Sequence, residues 1–297
     1  MFRTLVLIDK GVFVTKRPSL IKNLLVKNNV SLILFLSTAI ALIMTVISGL
    51  GFLLPDMFYP APGLLEQYLA NDLVNIILGL PLFIAALVLS RRGKLLGLLL
   101  LPGALIYVIY NYVGYALGRP WDWISIINLG LVILSFIALV LLLKAMDHQA
   151  VMEILEGKVG EKAAGWILVI FGLTFIGLAV TTIATGIQEG AIPPLGENAV
   201  SIADILVSLG WVGGGITLLR KRPLGFSTGL GLLVAASFLF LGLILFFFLA
   251  PLVTDRGFDW IEVITVLAMS LICFIPTGLF WRGIVRSTST FHIKEKH

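Results

Sequence analysis

The stretch "LLGLLLLPGALIYVIYNYVGYALG", residues 95 to 118, runs for 24 residues without a charged side chain. A helix rises about 1.5 Å per residue, so a run of this length covers the roughly 30 Å of hydrocarbon in a bilayer. Pro102 and Gly103 interrupt it, but helix breakers are tolerated in membranes where neighbouring helices re-satisfy the freed carbonyl, so they read as a kink. Seven further runs have the same character, at about 30–54, 70–90, 124–144, 164–187, 201–219, 224–250 and 258–281. The chain has 297 residues, 59% of them hydrophobic and only 12% charged, a composition no water-soluble domain can bury. The expected fold is all-α and transmembrane, with eight spans.

Charge orients the spans. Assigning alternate loops to opposite sides leaves only Arg119 and Arg256 away from the termini, so 19 of the 21 Lys and Arg (21 − 2) share a side with both chain ends. By the positive-inside rule both termini are cytoplasmic. Ten of the 16 acids fall on the outer side, among them Asp56, Glu66, Asp72, Asp122, Glu197, Asp204, Asp255 and Asp259. The net charge of +5 is a topology signal, and no nucleic-acid partner is expected, because the cations flank helix ends.

Residues 1–29 carry six cations and no compact apolar core, so they do not read as a signal peptide. "SLIKNLLVKN" groups Leu20, Ile21, Leu24 and Leu25 beside Lys22 and Lys27, which suits either the membrane surface or a plain basic flank. "TLVLIDKGVFV" before it has the form of a short hairpin turning at Asp9, Lys10 and Gly11.

Spans one to four and five to eight share punctuation. "RRGK" (91–94) follows span two as "RKRP" (220–223) follows span six, and "WDW" (121–123) opens span four as "FDW" (258–260) opens span eight. Asp72 and Asp204 hold like places near the outer ends of spans two and six. Units with an even number of spans enter from one side, which predicts two parallel-repeat four-helix bundles. The expected organisation is a basic N-terminal segment (1–29), a first bundle (30–145), an amphipathic cytoplasmic linker (146–163), a second bundle (164–282) and a basic tail (283–297). In the linker, Val151, Ile154, Leu155 and Val159 alternate with charge, as in a helix lying on the inner membrane surface.

Several chemistries lack their residues. His148, His292 and His297 all fall in cytoplasmic segments, so no histidine pair can hold a haem within the membrane. Cys273 is the sole cysteine, which removes thiol redox pairs and cysteine metal sites. The depths of the spans read as free of Asp, Glu, Lys and Arg, with Glu262 the nearest case, so neither a proton relay nor an acid–base pair is visible. Gly210 and Gly214 in "GWVGGG" suit close helix packing. No catalytic residue, metal site or cofactor is expected.

All six tyrosines lie in the first bundle: Tyr59, Tyr68, Tyr107, Tyr110, Tyr112 and Tyr115. At 100° per residue Tyr107, Tyr110, Asn111 and Tyr115 fall within an arc of about 140°, with Tyr112 beside it. Tyr112 and Tyr115 stand near the outer end and suit an interfacial aromatic belt, as do Trp121, Trp123 and Trp260. Tyr107 is roughly 16 Å below that end and, like Asn111, wants a partner. Aligning the bundles by their basic loops sets Ala236, Leu239, Phe240 and Leu241 opposite Tyr107, Tyr110, Asn111 and Tyr112, so the second bundle reads as dry there. Asn75 and Asn128, on neighbouring spans, lie at a similar depth. Tyr107, Tyr110, Asn111, Asn75 and Asn128 either line an outward polar, aromatic cup with Asp72 and Asp122 at its rim, or form a hydrogen-bonded network that locks the bundle. Asp72, Asp122, Asp204 and Asp259 also suit helix N-caps.

The segment 72–118 carries D-L-V, G-x-P-L, R-R-G and Y-x-x-Y-N-Y, a pattern that resembles a prokaryotic family of uncharacterised multi-span membrane proteins over about residues 56–145. The resemblance implies a bacterial or archaeal cytoplasmic membrane and no particular substrate. Three roles follow from the residues: a binder or permease for a small neutral or amphipathic molecule, or for a lipid, working through the cup; a non-catalytic accessory subunit holding a membrane-protein partner; or an enzyme using outer-loop acids such as Asp56, Glu66 and Asp72. The missing intramembrane charges favour the first two, and the clustering of polar residues favours the first.

Overall fold

The computed structural model describes residues 30–61, 63–188 and 195–294, excepting the side chains of 288–294. The N-terminal segment, with its amphipathic and hairpin readings, lies outside the described residues.

The described chain is all-helical. Eight helices are long and apolar enough to cross a membrane: α1 (Val30–Leu53), α3 (Leu64–Arg91), α4 (Leu95–Leu117), α5 (Trp123–Ala145), α7 (Glu161–Gln188), α8 (Leu195–Leu219), α9 (Pro223–Val253) and α10 (Trp260–Lys294). Two short helices complete the described set, α2 (Pro55–Phe58) and α6 (His148–Leu155). Large apolar side chains face outward along the long helices, among them Phe35, Leu42, Ile126, Ile264 and Ile275. Water would not tolerate such a surface; hydrocarbon does.

α4 is the axis of the molecule. It packs against α3, α5, α8 and α9, and 78% of its apolar window is buried, against 22% for α7. Its crossing with α9 is made by glycine on glycine. A Cβ added at Gly103 would lie 2.9 Å from Cα and C of Gly231, and nearer still to its carbonyl oxygen. Only residues without a side chain let two backbones approach so closely.

α3 and α8 end in the same turn. Gly93 N–H donates to Ser90 O at 2.9 Å and Lys94 N–H to Leu89 O at 3.0 Å. In the other turn Lys221 N–H donates to Leu218 O at 3.0 Å and Arg222 N–H to Thr217 O at 2.8 Å. This is the glycine-type helix stop, which needs a left-handed residue. Gly93 supplies it at φ 68° and Lys221 at φ 51°. Lys221 adopts a conformation unfavourable for a side chain, and its ammonium reaches Glu156 at 3.1 Å.

Pro81 shapes α3. Proline has no N–H to give the carbonyl four residues back, and the helix widens just before it into a π turn, Asn75–Gly79, in which Leu80 N–H reaches Asn75 O. Gly79 in this turn leaves room for a ring from α4: a Cβ there would stand 2.5 Å from Cε1 of Tyr107.

Three sequence expectations change. α3 starts at Leu64 rather than near 70, so Asp72 lies about 12 Å along the helix instead of at its rim. α8 starts at Leu195, which puts Asp204 about 13 Å inside. Neither caps a helix end. By contrast Asp122 caps α5 in a reciprocal box with Ser125, and Asp259 accepts from Ile261 N–H at 2.7 Å. Finally, the linker helix α6 does not lie free on a surface. Val151 and Leu155 are fully buried, and α6 packs against α9 and α10.

A candidate binding cavity between the helices

Two polar assemblies grow from the tyrosine face of α4. The first encloses a fully buried carboxylate, although two of its rings, Tyr68 and Tyr115, also border the cavity described below. Asp72 is fully buried and accepts hydrogen bonds from Tyr59 Oη and, at 3.0 Å, from Tyr115 Oη. Gly51 of α1 makes the space for this carboxylate: a Cβ there would be 2.8 Å from Tyr59 Oη and closer to Asp72 Oδ2. The rings of Tyr59, Tyr68, Tyr115 and Tyr112 pile up behind it, with successive centroids 5.9, 4.7 and 5.4 Å apart. Tyr112 closes the row by bonding Ser48 Oγ at 3.1 Å. Tyr112 and Tyr115 are buried, so they are not belt residues; Trp121, Trp123 and Trp260 are exposed, as belt residues would be.

Arg119 stands beside Tyr59 at the edge of this assembly. It is 2% exposed, donates to Phe58 O and to Asp122 Oδ2, both at 2.7 Å, and lies 5.9 Å from the Tyr59 ring centre. Its charge therefore serves the α5 cap rather than Asp72.

The second assembly faces an open cavity of about 280 Å³, at the end of the molecule remote from the basic turns. α3 contributes Gln67, Tyr68 and Asn71 to its wall, and α4 contributes Tyr107, Tyr110, Asn111 and Tyr115. The facing wall belongs to the later helices: Phe175 of α7, Asp204 and Trp211 of α8, and Phe240 and Phe246 of α9. Of the lining residues, Val200 is 44% exposed and Leu243 39%, so the cavity opens between α8 and α9 beside an apolar rim.

Polar groups around the cavity differ in how fully they are used. Tyr110 Oη donates to Asp204 Oδ1 at 3.0 Å, tying α4 to α8. Tyr107 Oη donates to Asn75 Oδ1 at 3.3 Å, and Asn111 Nδ2 donates back to Tyr107 O at 2.9 Å. Trp211 is buried against the cavity, and its indole N–H has no partner. That nitrogen is shielded from the cavity as well, so Trp211 offers the space its ring and no donor.

The structure thus divides the residues singled out in the sequence. Tyr107, Tyr110 and Asn111 line the cavity together. Asn75 stands one layer behind, reached through Tyr107, and Asp72 lies in the first assembly. Asn128 is buried on α5, apart from both, with neither side-chain polar atom bonded. The three asparagines do not bond one another. Asp204, which the sequence presents as a helix cap, joins the site together with Trp211 and the phenylalanines, none of which the spacing on α4 points to, because that spacing does not show which helix its face meets. The usable signal was Asp204 itself, had α8 been begun at Leu195.

Comparison with protein-family models, with curated proteins and with solved structures returns no match.

Proposed function

We propose that this chain is a multi-span protein of a prokaryotic cytoplasmic membrane, both termini inside, that binds a small amphipathic molecule in the α3–α4–α7–α8–α9 cavity and serves as a binder or permease for it. The observation that carries the reading is a cavity with one hydrogen-bonding wall and one aromatic wall. Cavities of this kind, apolar with a few convergent polar groups, are the usual form of small-molecule sites.

Two like-facing halves fit this role. The turns after α3 and α8 correspond at an offset of 128 residues in every hydrogen bond (221 − 93, 222 − 94), and Gly97 and Gly103 match Gly225 and Gly231 at that same offset. At that offset, one less than the basic loops suggest, Ala235, Phe238 and Leu239 stand opposite Tyr107, Tyr110 and Asn111. A cavity at the seam of duplicated bundles is where membrane carriers keep their sites. The observation favouring the accessory-subunit reading is that Tyr68, Tyr107 and Tyr115 already hydrogen-bond within the protein, as structural tyrosines do.

The test is a ligand screen by thermal unfolding in lipid nanodiscs, repeated on the double variant Tyr107→Phe, Asn111→Leu, together with a high-resolution map in lipid. The binder reading expects stabilising compounds whose effect the double variant removes, and non-protein density in the cavity. An empty cavity and a screen without hits would leave the accessory role. A cysteine placed before residue 30 that labels from the outer medium would overturn the orientation.

A further inference from the structure

Within the binding reading, the cavity's chemistry identifies the class of guest. Asp204 sits in an unusual state of balance. One carboxylate oxygen accepts from Tyr110, yet no cation pairs with it: the four ion pairs among the described residues are Arg119–Asp122, Lys221–Glu156, Lys221–Glu161 and Arg256–Glu262. The basic side chain nearest the aromatic wall, Arg256, lies 5.3 Å from the Phe246 ring centre on one side and 2.9 Å from Glu262 on the other, so its charge is already met. A carboxylate at membrane depth without a counter-ion is costly, and a single hydroxyl donor does not neutralise it.

The surrounding surface supplies what such a carboxylate needs to hold a soft cation. Tyr107, Tyr110, Phe175, Trp211, Phe240 and Phe246 put π faces or edges around the same space. Aromatic walls attract alkylated ammonium groups through the ring quadrupole, and more strongly when water is excluded. The exposed apolar residues Val200 and Leu243 at the mouth give a hydrocarbon tail a route from the lipid.

We propose that the cavity selects amphipathic organic cations: an alkylated ammonium seated between Asp204 and the aromatic wall, and an apolar group toward Val200 and Leu243. The volume of about 280 Å³ limits the guest to a small molecule.

The experiment uses the full chain in nanodiscs, with empty discs subtracted, and radiolabelled 4-phenylbutyl-trimethylammonium as the probe. Its competitor is the neutral isostere in which a carbon replaces the nitrogen. Saturable probe binding is expected, displaced at least about tenfold more weakly by the isostere than by unlabelled probe. Asp204→Asn should weaken the probe by a similar factor while leaving isostere binding alone, and Asp204→Glu should retain it. If the isostere competes as well as the cation, or Asp204→Asn binds the probe as wild type does, cation selection is wrong and the binding reading survives. If neither compound binds, both fall. Should Asp204→Asn fail to fold, the wild-type comparison of cation with isostere still decides.

Discussion

Gly103→Ala is the sharpest probe of the architecture, because the two helices it separates carry facing walls of the cavity. An ordinary carbon contact is 3.4 Å or more, and the new methyl would stand 2.9 Å from Cα and C of Gly231 with the carbonyl oxygen nearer still. These are backbone atoms of a membrane helix, so no rotamer change can clear them, and α4 and α9 must separate by about 0.5–1 Å. Overpacking of this kind costs about 1–3 kcal/mol. Gly231→Ala should cost less, since its nearest atoms are 2.9 to 3.1 Å away, and Gly177→Ala, which meets nothing within 4 Å, should cost nothing or stabilise. Cys273 provides the assay: it is the sole cysteine and 1% exposed, so a thiol-reactive dye reports opening of the bundle as the sample is warmed. The expected order of labelling temperature is Gly177→Ala at or above wild type, then Gly231→Ala, then Gly103→Ala. The double variant should lose less than the sum, since both methyls act through one crossing. If Gly103→Ala labels at the wild-type temperature, the two backbones are not in contact and the axis of the fold is wrong.

Tyr115→Phe takes one of two donors from a buried carboxylate and should destabilise by about 1–3 kcal/mol, more than Tyr112→Phe, which breaks a hydroxyl pair with Ser48; equal melting of the two variants would argue against a charged Asp72. Asp122→Ala removes the α5 cap and the carboxylate paired with buried Arg119, so a loss of about 3 kcal/mol or more is expected in the same assay, while Asp259→Ala should lose about 1 kcal/mol at most. His148 in α6 bonds Ser227 at 2.9 Å, and its burial there holds the imidazole below its usual range, against the upward pull of the Leu143 backbone and of Asp147. With the folded value below the unfolded one of about 6.5, its contribution is complete above that pH and is lost as the pH falls through the folded value. Melting should therefore drop between about pH 7 and pH 5, less steeply in His148→Gln, and an unchanged slope would exclude the residue.

The eight spans were legible because lipid demands long uncharged runs, and 95–118 or 124–144 can hardly be read otherwise. What the sequence hid was where two helices begin. "LLEQYLANDLV" and "LGENAVSIADIL" open α3 and α8 with Glu66, Gln67 and Asn71, and with Glu197 and Asn198, which dilute hydropathy until the apolar run seems to start later. Those polar turns look like loops only if every face of a span meets lipid. Here one face meets protein or a cavity, as Gln67, Asn71 and Asp204 do, so the helix extends through them. The misplaced starts turned Asp72 and Asp204 into apparent caps. The tyrosine face was visible from helical spacing alone; its partners on α8 were not, because helical periodicity fixes which residues share a face but not which helix that face meets.

The two carboxylates then explain why one helix carries four tyrosines in a single stretch. Tyr115 serves Asp72 and Tyr110 serves Asp204, five residues apart on α4 and so about 140° around it. α4 is gripped between an acid of α3 and an acid of α8, but the two grips are not alike. Asp72 has two hydroxyl donors, Gly51 pressed against it and no opening; Asp204 has one donor and a cavity beside it. A carboxylate closed in by donors holds structure, whereas one left half-met beside open space can still take a partner. Asp72→Asn should therefore change melting with little effect on probe affinity, and Asp204→Asn the reverse. An exchange of those two phenotypes would mean that the tyrosine row around Asp72, and not the cavity, is where the guest resides.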